Sequence, residues 1–152
     1  MKIAIIGAGI AGLTIASKLK NFTDITIFDK SRGAGGRICT RYAEPYVFDH
    51  GAQFFIARTN KFKNFIQPMI EAGVIQSWNA KFVEFKKNKI ISSRHWSNEY
   101  PHYVGSPSMS SIGKYLSQDL NLVLNTEVKP QKQGDHWKIH SANNQDFGTY
   151  DW

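Results

Sequence analysis

Two short apolar runs and a helical repeat organise the beginning of the chain. Residues 2–6 form an apolar, β-branched run typical of a buried strand, and this run leads directly into the glycine-rich segment 7–12. Every fourth residue from 11 to 19 is then apolar, which predicts an amphipathic helix. A second apolar run, residues 25–28, ends at Asp29 and predicts a second strand.

A second helix is predicted from Thr59 to Ala72. Thr59 or Asn60 can cap its start, Gly73 can end it, and Pro68 in its interior predicts a kink. Apolar residues with helical spacing give it one broad face, which we interpret as core packing. This face consists of Phe62, Phe65, Ile66, Met69 and Ile70.

The rest of the chain alternates short strands with one more helix. The pattern predicts a strand pair over 78–92 turning at 86–89, a helix over 108–120, a short buried strand at 122–124, and a hairpin over 127–140 turning at 133–135. Strands that alternate with helices in this way favour an α/β fold.

The glycines of the first turn have the spacing Gly-x-Gly-x-x-Gly, which binds a dinucleotide when it lies between a strand and a helix. Gly7 permits a tight turn, Gly9 lets the backbone approach a pyrophosphate, and Gly12 lets the helix pack against the strand. The N-terminus of the helix offers free N–H groups to the phosphates. Asp29, about 20 residues further on, is placed to bind a ribose hydroxyl. We therefore predict that the chain binds an adenine dinucleotide.

A second glycine-rich turn, residues 32–40, narrows the choice of dinucleotide. Gly35 and Gly36 allow close approach of the backbone, and Arg37 can pair with a phosphate. An NAD-binding domain does not need this second turn, whereas the longer FAD molecule can use it. Asp29 would disfavour the 2′-phosphate of NADP. FAD is therefore the predicted cofactor, with NAD(P) as the alternative.

Composition and charge limit the other possibilities. The length of 152 residues is that of one domain, and the single Cys39 excludes an internal disulfide and fits a reducing cytoplasm. The net charge of +7 suits an anionic ligand, although nucleic-acid affinity or mere solubility would produce it too. No apolar run approaches the roughly 18 residues of a membrane span. We expect a cytoplasmic protein with no membrane partner.

Three other interpretations of local patterns are less favoured. Residues 2–17 resemble a secretory signal in outline, but their glycines have the Gly-x-Gly-x-x-Gly spacing of a dinucleotide-binding turn. Interleaved lysines and aromatics in 78–103 suggest a nucleic-acid surface, but a sheet with one aromatic face explains them as well, and we predict no nucleic-acid partner. His136 and His140 could share a strand face, but the sequence offers no further ligands nearby, so no metal site is predicted.

No side chain stands out as a general acid or base. Cys39 has no identifiable activating partner and is interpreted as a packed thiol. His50 could serve catalysis, but packing or solvent exposure is the simpler interpretation. The catalytic residues are therefore unknown at this point.

The glycine spacing, the acid after the second strand and Gly-Gly-Arg-x-x-Thr at 35–40 together resemble the flavin amine oxidase superfamily. Within it, Asp-His-Gly-Ala-Gln at 49–53 and the segment 103–112 are similar to renalase and the renalase-like bacterial FAD-dependent oxidoreductases. The resemblance covers essentially the whole chain. Ser108 departs from it, because these proteins often have glycine there.

This resemblance implies an α/β, Rossmann-like FAD-binding fold of the glutathione-reductase type that is incomplete. Residues 76–104 would belong to a small antiparallel β insertion from the substrate domain. Residues 1–152 would form a truncated N-terminal FAD-binding domain, since more than half of a full-length family member would follow. We therefore expect an N-terminal fragment, a truncated gene product or half of a split gene, with a C-terminal partner chain completing the fold.

The resemblance also implies FAD contacts and an activity. The implied activity is hydride transfer from a small-molecule amine or dihydronicotinamide substrate to flavin, with reoxidation by dioxygen to give hydrogen peroxide. A catalytically inactive FAD- or ADP-binding fragment and an NAD(P)-binding module are the alternatives. The implied contacts are Gly7, Ala8, Gly9, Ala11 and Gly12 at the pyrophosphate turn, Asp29 and Lys30 at the adenosine ribose, Gly36 and Arg37 along the pyrophosphate, and Gly51, Ala52 and Gln53 at the flavin end.

Overall fold

The computed structural model describes residues 1–96 and 99–152. Residues 97 and 98, which fall inside the predicted insertion, lie outside the described residues. The helices are α1 (Ile10–Leu19), α2 (Asn60–Glu71) and α3 (Ser110–Leu116), with a 3-10 turn at Gly36–Ile38. The strands are β1 (Lys2–Ile6), β2 (Asp24–Phe28), β3 (Thr40–Ala43), β4 (Tyr46–Asp49), β5 (Phe55–Ile56), β6 (Ile75–Ser77), β7 (Lys81–Lys86), β8 (Lys89–His95), β9 (His102–Gly105), β10 (Asn121–Val123), β11 (Val128–Gln133), β12 (His136–Ser141) and β13 (Asp146–Tyr150).

A parallel sheet with the order β1-β2-β10 forms the base of the fold, as the strand–helix–strand pattern predicts. Helix α1 covers one face of it and buries Leu13 and Ala16 completely. The last two residues of the chain lie along the outer edge of β1. There the backbone N–H of Ala4 donates to the carbonyl of Trp152 at 2.8 Å, and that of Asp151 donates to the carbonyl of Lys2 at 2.9 Å.

The second face of the parallel sheet packs against an antiparallel sheet with the order β11-β12-β13. The predicted hairpin over 127–140 is confirmed, with its turn between Gln133 and His136. Strand β13 is an addition that the sequence pattern did not predict. Its Phe147 and Tyr150 contact the ring of Phe28 edge-on, at centroid distances of 5.2 and 6.0 Å. These rings supply a small core separate from the one beneath α1.

A third sheet, β5-β9-β6, packs one face on α2. The ring of Phe55 stacks on Tyr103 at 5.7 Å and contacts Phe62 of the helix at 5.8 Å. As predicted, the helix begins after Thr59, whose hydroxyl accepts a hydrogen bond from the N–H of Phe62 at 3.2 Å. The β7-β8 hairpin extends beside this sheet and confirms the strand pair predicted over 78–92. Pro68 lies inside α2 as the sequence indicates.

Two local predictions need correction. Helix α3 is shorter than the predicted 108–120, because the chain leaves helical geometry at Ser117 and Asp119 adopts a positive φ of 58°. Strands β3 and β4 were not predicted as strands. Their side chains are mostly exposed on both faces, so they lack the apolar alternation from which a strand is recognised.

Helix α1 reaches the sheet only because Gly12 has no side chain. A Cβ at this position would overlap the carbonyl group of Gly7 and lie 3.1 Å from a methyl group of Ile5. Since the backbone cannot yield as a flexible side chain can, any larger residue must push the helix away from β1. Within the described residues, no helix has the length and apolar character needed to cross a membrane.

We expect Gly12→Ala to lower the free energy of unfolding by about 1–3 kcal/mol, the usual cost of forcing an extra methyl group into a packed site. Urea denaturation followed by circular dichroism measures the loss. Gly33→Ala is the matched control, because a Cβ at Gly33 meets no atom within 4 Å. Equal midpoints for the two variants would contradict the close approach of α1 to β1.

Candidate dinucleotide-binding site

The two glycine-rich turns meet and form one continuous surface. The N–H of Gly35 donates to the carbonyl of Ala8 at 2.7 Å, and Gly9 pairs with Gly35 in an isolated parallel bridge. Gly36 has a φ of 58°, and a Cβ there would lie 3.2 Å from the Cα of Gly9. The glycines predicted to approach the ligand thus also allow the two turns to approach each other.

The third predicted segment, 51–53, lies against the second turn. The N–H of Ala52 donates to the carbonyl of Arg37 at 2.8 Å, and a Cβ on Gly51 would overlap that carbonyl. Gly51 is therefore required by backbone packing. The side chains of Arg37 and Gln53 are both exposed, so each is free to turn toward a ligand. The three predicted segments follow one another in space as they do along the chain.

The start of α1 faces open space at Gly9. Gly9 is the residue that caps this helix, no side chain caps it, and its first turn carries no acidic residue. A Cβ placed on Gly9 would meet no protein atom within 4 Å, in contrast to Gly12 and Gly36. Unpaired backbone N–H groups beside free space form a site for an anion such as a pyrophosphate. Ala11, also predicted to line the turn, is exposed on the first turn of the helix.

Asp29 holds the first glycine turn in place. One carboxylate oxygen accepts from the N–H of Ala8 at 2.6 Å, and the other accepts from the N–H of Ser31 at 2.7 Å. Burial raises the pKa of Asp29, but the bonds from Ser31 and Ala8 and the nearby charge of Lys30 outweigh it, so the pKa falls below its usual 3.8. The group is therefore ionised at neutral pH. Each oxygen keeps a lone pair with which a ribose hydroxyl could bond.

A cavity of about 360 Å³ opens beside Asp29, at the carboxyl ends of β1 and β2. Ligands of open α/β sheets bind at this edge, and the volume falls in the usual range of about 300–1,000 Å³ for small-molecule sites. Its walls are Ile6, Gly7, Phe28, Asp29, Lys30, Ser31, Thr126, Glu127 and Val128.

Residues 126–128 belong to this cavity although the sequence did not indicate them. The N–H of Thr126 donates to the carbonyl of Asp29 at 2.9 Å, and this bond draws the start of β11 to the end of β2. Nearly 100 residues separate the two partners along the chain. No local pattern could therefore have placed them together.

A second carboxylate, Asp49, links three of the motifs. Its Oδ1 accepts from the hydroxyl of Thr40 at 2.5 Å and from the N–H of Met109 at 3.1 Å. The same hydroxyl oxygen accepts from the N–H of Ser110 at 3.1 Å. Both Thr40 and Asp49 stand inside motifs that the sequence singles out, but only the fold shows that they anchor the start of α3.

Helix α3 supports the second turn from behind. A Cβ at Gly113 would come within 2.7 Å of the carbonyl oxygen of Ala34 and 2.8 Å of the Cα of Gly35. Anchoring α3 through Asp49 therefore also positions the turn at 34–37. The structure accommodates a serine at 108, where the resembled proteins often have glycine. The buried hydroxyl of Ser108 pairs with that of Ser110 at 3.0 Å.

The structure adds a partner to two of the side chains that the sequence singles out. Cys39 has a neighbour after all: its Sγ lies 3.7 Å from Nε2 and 3.9 Å from Nδ1 of His50. The Nδ1 of His136 lies 3.2 Å from a carboxylate oxygen of Asp151. Among residues 1–96 and 99–152, no three His, Cys, Asp or Glu side chains converge as a metal site would require.

The fold is of the Rossmann-like type, and its glycine turns form a surface of the kind that binds dinucleotides. Residues 5–68 match the model of the NAD(P)-binding Rossmann-like domain family. This match covers the end of β1, all of α1, both glycine turns and the segment 51–53.

Comparison with known proteins finds partial sequence likeness to an oxidase and a desaturase. The chain is 30% identical over 92 residues to coproporphyrinogen III oxidase of Staphylococcus aureus. This alignment covers 58% of the chain and 20% of that protein. It is 40% identical over 52 residues to a 4,4′-diapophytoene desaturase of the same species, which covers 34% of the chain and 10% of that protein. The chain thus spans a small part of the curated relatives that it matches.

The solved structures extend the likeness in fold over nearly the whole chain. A structure described as an FAD-containing monooxygenase from Photorhabdus luminescens superposes with a TM-score of 0.62 at 14% identity, over 99% of this chain and 38% of that one. The predicted fold class, α/β and Rossmann-like, is confirmed.

We expect Asp49→Asn to lower the free energy of unfolding by about 1.5–3 kcal/mol, the usual worth of hydrogen bonds to a charged acceptor. The amide would accept more weakly from both Thr40 and Met109. Chemical denaturation measures the effect, and Asp135→Asn, an exposed turn carboxylate, is the control for loss of charge. A loss no larger than that of the control would show that Asp49 does not anchor α3.

Proposed function

We propose that this chain is the FAD-binding part of an oxidoreductase. The observation that carries the proposal is the continuous line of three backbone segments, 7–12, 35–37 and 51–53, which meet edge to edge. A pyrophosphate turn serves any dinucleotide, but a surface that continues through Arg37 to Gln53 suits a longer one. The likeness in fold to an FAD-containing protein agrees with FAD rather than NAD.

Each part of FAD would contact a different part of this surface. The open cap at Gly9 and the exposed Arg37 would hold the pyrophosphate, and the cavity beside Asp29 and Lys30 would take the adenosine. The segment 51–53 would approach the flavin ring. Bound flavin supplies the hydride-accepting chemistry, and the protein supplies binding and orientation.

The chain's own side chains do little proton chemistry in this arrangement. Asp29 and Asp49 are both occupied with backbone or hydroxyl donors and serve as positioning groups. This agrees with hydride transfer, which needs little help from a general acid or base. The Cys39–His50 pair is partly exposed and sits between the second turn and segment 51–53, where it would flank the cofactor.

The substrate is proposed to be an amine or a dihydronicotinamide nucleotide, with dioxygen accepting the electrons. The support is the renalase-like pattern Asp-His-Gly-Ala-Gln at 49–53, together with relatives named as an oxidase and a desaturase. We further propose that residues 76–104 belong to the substrate domain.

Protein outside these residues is proposed to complete the site. Large apolar side chains of the β3–β4 hairpin are at least half exposed beside segment 51–53. Exposed apolar patches mark protein interfaces, and we propose that this one packs against a further part of the same enzyme. These side chains are Tyr42, Tyr46, Val47 and Phe48.

FAD binding is tested by titrating the purified chain with FAD and with NAD, using flavin fluorescence and calorimetry. We expect FAD to bind more tightly. Gly9→Ala should weaken FAD binding by at least about tenfold, since the methyl group enters the space left for the pyrophosphate. Its stability should change little, because that methyl group meets no protein atom. Gly33→Ala is the control. Tighter binding of NAD would replace this proposal with an NAD-binding module.

The activity is tested on FAD-loaded protein that contains both this chain and the part proposed to complete its site, by anaerobic mixing with dihydronicotinamide nucleotides, including their isomers, and with simple amines. We expect the flavin absorbance band to bleach with a productive substrate and to return on admission of air, with release of hydrogen peroxide. Stable FAD binding without bleaching by any of these donors would favour the second candidate, a binding module without catalytic activity.

A further inference from the structure

A cavity of about 430 Å³ lies outside the dinucleotide site, on the face of sheet β5-β9-β6 that points away from α2. Phe55 and Tyr103 contact the helix side, and side chains alternate along a strand. Their neighbours, the paired Ile56 and His102, therefore face the other way, into the cavity. Its other walls are Arg58, Arg94, Trp96 and Tyr100.

Three of the six described residues that line this cavity carry rings, and one of them, Trp96, is the centre of a larger cluster of rings around it. Its ring stacks on that of His102 with the centroids 3.7 Å apart and the planes 22° from parallel. Phe54 and Phe82 lie 5.8 and 5.5 Å from the same indole, and Trp78 lies 6.3 Å away. Flat walls of this kind favour a planar ligand.

The charge of the cavity is positive. Two guanidinium groups line it, and none of its described lining residues is acidic. The Arg94 guanidinium lies over the ring of Phe82, 5.2 Å from the centroid, which holds it at the rim. No carboxylate among the described residues forms an ion pair with Arg58 or Arg94. Guanidinium groups without a partner are suited to bind a carboxylate or phosphate.

Two buried polar atoms at the cavity lack partners. The indole Nε1 of Trp96 and the Nδ1 of His102 make no hydrogen bond to any described residue, although both are buried. Most buried polar groups in proteins are paired, so each exception calls for an explanation. A polar ligand that displaces the covering rings would supply the partner.

The cavity adjoins the segment proposed to approach the flavin. Phe54 directly follows Gln53, and its ring lies 5.0 Å from that of His102. We propose that the cavity binds a planar aromatic anion, a ring that carries a carboxylate or phosphate group, and that it selects against cationic amines. That this ligand is the substrate rests on the proposed function, whereas its binding here does not.

The binding test uses the indole N–H signals of the four tryptophans in a nitrogen-15 NMR spectrum of the 152-residue chain without FAD. Trp96→Phe identifies the signal of Trp96. Four matched probes are titrated: benzoate, neutral benzamide, cationic benzylamine and non-aromatic cyclohexanecarboxylate. We expect benzoate to shift the Trp96 signal saturably, and the other three to bind at least about tenfold more weakly.

Arginine variants test which guanidinium groups bind the carboxylate of benzoate. Arg58→Gln and Arg94→Gln should each weaken benzoate binding several-fold, and Arg94→Lys should retain part of it. Arg41→Gln, an exposed arginine on β3, is the control and should bind as the unchanged chain does. Unaltered positions of the remaining indole signals show that each variant is folded.

Each contrary result removes a defined part of the proposal. Equal binding of benzamide or benzylamine would overturn the selection for an anion, and equal binding of cyclohexanecarboxylate would overturn the requirement for an aromatic ring. Absence of any shift at Trp96 would overturn the site itself. Titration of the same sample with FAD reports separately on the proposed function, so the failure of one proposal is distinguishable from failure of the other.

Discussion

The backbone contact between the two glycine-rich turns is the constraint on which the rest of the structure depends. The N–H of Gly35 bonds to the carbonyl of Ala8, and Gly36 must lack a side chain, because a Cβ there would lie 3.2 Å from the Cα of Gly9. Once these turns touch, segment 51–53 can rest on Arg37, and a single binding surface results. The same glycines that leave room for a ligand therefore also close the protein around it.

Two carboxylates hold this surface in shape. Asp29 binds the N–H of Ala8 and so holds the first turn, while Asp49 joins Thr40 to the start of α3, which supports the second turn. The bonds from Ala8 to Asp29 and from Met109 to Asp49 join residues that lie 21 and 60 positions apart in the chain. The binding surface is thus preorganised by side chains that do not themselves react.

The two faces of the β5-β9-β6 sheet divide packing from recognition. One face packs Phe55 and Tyr103 against α2, and the other presents His102, which stacks on Trp96 beside two arginines. A lysine- and aromatic-rich stretch that could suggest nucleic acid thus becomes an aromatic-lined cavity with positively charged walls. Its neighbour Phe54 follows directly on segment 51–53, which places the cavity next to the surface formed by the glycine turns.

The sequence by itself determined the strand–helix–strand unit, both glycine turns and the dinucleotide class, because hydrophobic period and glycine spacing are local properties. It also indicated α2 with its Thr59 cap, and the hairpins at 81–95 and 128–141. Strands β3, β4 and β13, the early end of α3, and the role of Thr126 beside Asp29 emerged only from the tertiary structure. These features depend on contacts between residues tens of positions apart, and exposed strands leave no apolar alternation by which to recognise them.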